Sequence, residues 1–357
     1  MKICVVACTK KGVELGSFLA EKIREADNGY DVAVHAISRH VKAGAEVNPI
    51  TGSLAQWTAE YFYRADALIF ISACGIVVRM IAPFLKGKDA DPAVVAIDEL
   101  GTFAVPLLSG HIGGANALAR CIAGITGGQA VISTATDLNG LVGIDEWAVH
   151  HDCVIGELEM VKHISGALLE GEEVGLYSEF PINGRVPDGF RKVAFLEEKD
   201  RWSDLKLGVC ITPYREKQPF PRTLNLFPKV LTLGIGCRRY TSMQVISQVV
   251  GEALDQRGLT IEALRNIASI DLKKDEQGLE ELAATYGVEF LTYTADQLNR
   301  AEGDFSSSEF VRTITGTDNV AERAAVLASG GGRLIGGRTV GEGVTVAVAA
   351  ADWQVVF

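Results

Sequence analysis

The stretch LLSGHIGGANALARCIAG, residues 107–124, sets one imidazole, His111, among Gly110, Gly113 and Gly114 at the entrance to an amphipathic helical run. Glycine lets a backbone approach a ligand closely, and the first amides of a helix have no acceptor within it. A histidine at that bend can move protons on whatever those amides hold, or it can simply cap the turn. Two other strand ends carry short polar groups. AIDELGTF ends in the adjacent acids Asp98 and Glu99, able to orient a histidine or carry a proton, although a turn-forming aspartate explains Asp98 equally well. STATDLNG places Thr134, Thr136 and Asp137 at another strand end.

Cations gather at two glycine turns. ACGIVVRMIAPFLKGKDADPAVV puts Gly75 at a helix start, Arg79 one turn in, then Lys86 and Lys88. The amides of Ile76 to Val78 could bind an anion and Arg79 could fork onto a carboxylate; the alternative is a solvated helix face. KVLTLGIGCRR brings Arg238 and Arg239 to a turn after a strand, where paired guanidinium groups suit a ligand rich in carboxylates. Cys237 beside them reads as a buried small residue, and Glu322 and Arg323 in DNVAERAAVLAS as solvated helix residues.

These residues need a scaffold that presents strand ends. Through residue 145, apolar runs such as KICVVAC, DALIFISA, PAVVAID and AVIST alternate with amphipathic helices. That grammar predicts an α/β fold with a mostly parallel, doubly wound sheet, whose ligands bind beyond the carboxyl ends of the strands. Residues 146–212 predict a small α/β linking module. Residues 213–228 hold four of the ten prolines and predict a semi-rigid linker. Residues 229–357 predict a second α/β domain.

The 357 residues are 48% hydrophobic and 22% charged, the balance of an ordinary globular chain. No apolar run reaches the roughly 18 residues that span a bilayer, and the first residues lack a signal-peptide pattern, so no membrane contact and a cytoplasmic location are expected. Seven scattered cysteines without a C-x-x-C pair indicate neither a disulfide framework nor a zinc site. A net charge of −11 argues against nucleic acid, yet leaves room for an anionic small molecule in a locally positive pocket. The two glycine patterns that suggest nucleotides both fail. Arg239 replaces the third glycine of a dinucleotide fingerprint in GIGCRR, and GRLIGGRT lies between a helix and a strand rather than a strand and a helix.

Taken in order, CGIVVRMIAPFLKGKDADPAVVAIDELG, PLLSGHIGGANALA, STATD and LGIGCRR resemble the cobalt-precorrin-5A hydrolase family of anaerobic cobalamin biosynthesis, and the likeness covers the whole chain. Tyr240 stands where that family usually has glycine, and LIGGRT lacks a lysine near Gly337. The resemblance implies a cobalt-bearing, ring-contracted tetrapyrrole with acetate and propionate arms and a δ-lactone. Water opens the lactone and a two-carbon fragment leaves as acetaldehyde. Cobalt would arrive with the substrate, so no cofactor and no protein-bound metal is expected; contact with neighbouring pathway enzymes is left open. A non-catalytic tetrapyrrole carrier of the same pathway is the competing reading, and a dinucleotide-dependent oxidoreductase a weaker one.

For such a reaction His111, titrating near neutrality, is the expected base, with Asp98 or Glu99 as its orienting partner. The amides of residues 112–115, including Gly113 and Gly114, and the Asn116 side chain are the expected oxyanion donors, with Thr136 and Asp137 nearby. Arg79, Lys86, Lys88, Arg238 and Arg239 are expected to hold carboxylate arms from two sides of an interdomain cleft.

Overall fold

The computed structural model describes every residue except 27–28, 42–45, 88–89 and 194–203. The chain divides into two compact units, Met1–Glu146 and Trp147–Phe357. The first is built in the order β1 (Lys2–Ala7), α1 (Lys10–Ala26), β2 (Asp31–Ile37), β3 (Asn48–Ile50), α2 (Leu54–Tyr61), β4 (Ala67–Ile71), α3 (Cys74–Ile81), β5 (Ala93–Ile97), β6 (Phe103–Leu108), α4 (Ala115–Thr126), β7 (Gln129–Ala130) and α5 (Ala135–Leu138). Helix α6 (Ile144–His150) carries the boundary.

The sheet order is β3-β2-β1-β4-β5-β6-β7. From β3 to β5 every pairing is parallel, and β1, β4 and β5 are buried almost throughout, as helices on both faces require. The helix face Leu19, Ala20 and Ile23 of α1 closes one side of the core, and Trp57, Phe62, Val77 and Ile81 close the other.

β6 breaks the parallel rule, running antiparallel to β5, and β7 follows the direction of β6. The reversal is made by Asp98. Its carboxylate accepts from Leu100 N at 2.9 Å and Phe103 N at 2.6 Å, and Gly101 takes the left-handed conformation at φ 74°. FAVPLL reads poorly as a strand because Pro106 cannot donate to a ladder. It is tolerated because β7 pairs only with Phe103 and Ala104, leaving Pro106 at the edge. The consequence for function is large, because the segment after β6 lies at the opposite end of the sheet from the Asp98 turn.

The second unit runs β8 (Cys153–Ile155), α7 (Leu158–Leu169), β9 (Val174–Ser178), β10 (Ile182–Asn183), β11 (Phe190–Val193), β12 (Leu207–Ile211), β13 (Arg222–Pro228), β14 (Leu231–Cys237), α8 (Met243–Asp255), β15 (Leu264–Ile270), α9 (Gln277–Tyr286), β16 (Glu289–Tyr293), α10 (Ala295–Asn299), α11 (Glu309–Thr315), α12 (Ala321–Ala328), β17 (Arg333–Leu334), β18 (Thr339–Gly341), β19 (Val344–Ala350) and β20 (Val355–Val356). One sheet has the order β11-β9-β12-β13-β8 and another β16-β15-β14-β19-β17, with β18 on β19 and a small β10-β20 pair apart.

The linker expectation fails over residues 222–228, which form β13, parallel to β12 and antiparallel to β8. The preceding proline-rich segment is anchored by Phe220, buried over Gly175 and Gly208, where any Cβ would overlap its ring. Among the described residues no helix is long and apolar enough to cross a membrane.

Candidate functional site

The chain leaves β6 through Ser109, a non-glycine residue at φ 55°, whose hydroxyl donates to Asp91 O at 2.9 Å. The bend is so tight that a Cβ on Gly113 would overlap Ser109, and Gly114 is left-handed at φ 82°. His111 is thereby turned inward. Its Nε2 lies 3.0 Å from Asp137 Oδ2 and 3.3 Å from Thr136 Oγ1, and its Nδ1 lies 3.3 Å from Asp145 Oδ1. Asn116, 1% exposed, donates to Thr134 Oγ1 at 3.1 Å and to Asp137 Oδ2 at 3.0 Å, and Arg120 pairs with the other Asp137 oxygen.

This geometry brings His111, Asn116, Thr134, Thr136 and Asp137 together and adds two residues that the sequence did not flag, Asp145 and Arg120. The pairing of Asp145 with His111 had no local signature. Asp145 opens α6 after Gly143, and that glycine keeps its space free of a side chain beside the His111 ring.

Electrostatics change the expected role of His111. The Asp145 carboxylate beside Nδ1 is the largest influence, and with Asp137 it overcomes burial to push the imidazole from 6.5 up to about 9. Burial would raise the Asp137 carboxyl, but His111 and Arg120 hold it below its ordinary value. Asp145 is likewise held low by His111 against its own burial. At neutral pH the group is an imidazolium between two carboxylates, not the free base near neutrality that was expected.

Three further expectations are corrected. Asp98 and Glu99 do not orient His111. They sit at the other end of β6, a strand length of roughly 17 Å away. Asp98 is the turn former, with its carboxyl lowered because backbone donors led by Phe103 outweigh burial, and Glu99 accepts from Thr9 Oγ1 at 2.9 Å. Of the expected oxyanion donors, Gly114 N donates to His111 O at 2.9 Å, Ala115 N donates to Ser109 O at 3.1 Å, and the Asn116 side chain donates to Thr134 and Asp137, which leaves the amides of Ile112 and Gly113. At the start of α3, Ile76 N and Val77 N both donate to Ala73 O, so the anion site expected there loses two of its three amides.

Gly75 is exposed in the first turn of α3, where a Cβ would meet open space, and Arg79 is exposed in the last turn. Lys86 is exposed with its ammonium 4.0 Å from the centre of the Tyr63 ring. Lys88 lies outside the described residues.

Arg238 and Arg239 open onto a cleft of about 660 Å³ whose described lining belongs entirely to the second unit. Strand β14 delivers them, and Cys237 before them is half-buried, its thiol raised by burial. Lys273, which the sequence did not flag, and Arg338, from the GRLIGGRT stretch, line the same cleft. Glu322 and Arg323 are not solvated: Glu322 is 6% exposed and accepts from Ser306 N at 2.7 Å, and Arg323 Nε pairs with Asp318 at 3.1 Å.

Residues 56–137 match the family model of the cobalamin synthesis G N-terminal region, 142–228 that of the cobalamin biosynthesis central region, and 231–349 that of the cobalamin synthesis G C-terminus. The chain belongs to the cobalamin synthesis G family. It is 36% identical to the cobalt-precorrin-5A hydrolase of Salmonella typhimurium, covering 85% of this chain and 87% of that protein. It is 32% identical to the Priestia megaterium protein of the same name, covering 98% of this chain and 95% of that protein. A crystal structure of a cobalamin biosynthesis protein G homolog from Sulfolobus solfataricus is 21% identical over 98% of this chain and 97% of its own, with a TM-score of 0.43. Tyr240, expected where the family usually has glycine, sits at φ 63°, in the left-handed region that favours glycine. Its amide donates to the buried Glu276 carboxylate, which fixes the turn after the arginines.

Proposed function

We propose that this member of the cobalamin synthesis G family is a cobalt-precorrin-5A hydrolase. Water adds to the δ-lactone carbonyl of a cobalt-bearing, ring-contracted tetrapyrrole, the ring ester opens to a carboxylic acid and an alcohol, and the alcohol's carbon–carbon bond to the macrocycle then breaks. The alcohol proton is lost, the bond electrons pass into the conjugated ring, the ring takes up a proton, and acetaldehyde leaves. Cobalt is cargo on the substrate in this reading, and the protein brings no cofactor of its own.

The observation that carries the reading is identity of 36% and 32%, over most of the chain, to proteins of that name. The cleft supports it with geometry, since guanidinium groups on Arg238 and Arg239 offer forked donors to carboxylate arms. His111 enters as a charged clamp on Asp137 and Asp145, holding the SGHIGG bend in shape, and acts on protons only from that charged state.

The test is incubation with the cobalt-lactone intermediate without oxygen, following the pigment spectrum while trapping volatile aldehyde for mass spectrometry. Acetaldehyde released in step with the spectral change is the expected result. A carrier of the macrocycle would change the spectrum on binding and yield no aldehyde, and that outcome would end the hydrolase reading.

A further inference from the structure

The cleft of the second unit leaves two contrasting surfaces open side by side. Phe310 and Ile314 stand four residues apart on α11, hence on one helix face, and are 75% and 61% exposed. Val340 on β18, another lining residue, is 63% exposed. On the cationic side, Arg238, Arg239 and Arg338 form no ion pair among the described residues, whereas Lys273 is paired with Glu276 at 2.7 Å and Asp318 with Arg323. Three arginines without carboxylate partners, lining one cleft, leave several forked guanidinium donors free to meet an anion there.

Neither surface is an accident of a loose segment. The backbone on both sides of α11 is tied to α12. Glu322 takes Ser306 N at 2.7 Å, Ser306 Oγ at 2.8 Å and the Asn319 amide, while Arg323 reaches Leu298 O at 3.2 Å and Ala301 O at 3.4 Å. The loop bearing Arg338 is held by Arg257, which donates to Ile335 O at 2.6 Å, Thr339 Oγ1 at 3.1 Å and Gly337 O. An anchored apolar wall facing anchored cations fits a ligand with a flat hydrophobic face and a carboxylate fringe, and Phe310 adds an aromatic face for stacking.

We infer that this cleft seats one face of the tetrapyrrole, with the ring against Phe310, Ile314 and Val340 and its carboxylate arms on Arg238, Arg239 and Arg338. The inference rests on the function proposed above and deepens it. It makes α11 the wall that selects a flat ring, and Arg257, Glu322 and Arg323 the positioning residues behind the two walls.

The experiment titrates the full chain with uroporphyrin, a cobalt-free macrocycle bearing acetate and propionate arms, by absorbance and fluorescence. Arg238→Glu and Arg338→Glu should each weaken binding about tenfold or more and flatten its salt dependence. The double variant Phe310→Ser with Ile314→Ser should weaken binding similarly while keeping the salt dependence of the parent. Arg185→Glu, outside the lining, is the control and should bind as the parent does. All these positions are exposed, and melting curves matching the parent show that the fold persists. Parent-like binding by the three cleft variants, or no binding by the parent, overturns the inference. A parallel turnover assay separates it from the function: acetaldehyde release with unchanged KM in the cleft variants removes the seat and leaves the hydrolase, whereas no release by the parent removes the hydrolase itself.

Discussion

At His111 the protonation state follows from geometry. With a carboxylate oxygen facing each ring nitrogen, a neutral imidazole would set one lone pair against an anion, and only the imidazolium satisfies both sides. Histidine NMR should therefore find this ring titrating near 9, and Asp145→Asn should bring it down toward the ordinary 6.5. The stability consequence has a definite sign. The folded value lies above the unfolded one, so the contribution, about 1–3 kcal/mol after solvent screening, is complete below pH 6.5 and lost as pH rises through about 9. Asp137 and Asp145 are held below 3.8, so their share is complete above that pH and disappears in more acid solution. It is the same interaction viewed from its other end. Denaturant melts at stepped pH should show an alkaline fall that Asp145→Asn blunts. Activity offers a second check: a charged clamp predicts an alkaline limb near 9, whereas an acid limb near 6.5 would return His111 to the role of neutral base.

Among the elements, β6 and the close approach of α12 to β14 decide the most. β6 moves the SGHIGG bend away from the Asp98 turn, and only the bend's glycines allow the chain to re-enter α4 at once. Gly113→Ala should cost about 1–3 kcal/mol, because the new methyl group overlaps Ser109. Gly234→Ala should be worse, about 3 kcal/mol or more, because its Cβ would run deeper into main chain than at Gly113, against the carbonyl of Ala321 and the amide of Ala325 together. Thermal melts of the two variants should rank in that order. The Gly234 variant should also lose uroporphyrin binding, since α12 anchors the cleft wall.

Over the whole molecule, charge is distributed unevenly. A net −11 discourages anions in general, yet arginines without carboxylate partners collect at the second unit's cleft. Capture of a polyanion there depends on local field rather than net charge, and local field is screened by salt. Raising ionic strength from low to physiological should therefore increase KM several-fold with little change in kcat, measured as acetaldehyde release. A salt-independent KM would mean that the carboxylate arms do not meet these guanidinium groups.

The sequence by itself determined the buried parallel strands β1, β4 and β5, since continuous apolar runs between amphipathic helices have few other solutions. It also determined that Arg238 and Arg239 leave a strand together, and that His111 stands among glycines. Tertiary structure alone decided the direction of β6, because one aspartate hydrogen-bonding two amides leaves no periodic trace. It decided the strand at residues 222–228, because Phe220 finds its glycines only after β9 and β12 have paired. Above all it decided the partners of His111. Asp137 and Asp145 are 26 and 34 residues away along the chain, and contact across such separations is set by how strands pair, which local spacing does not encode.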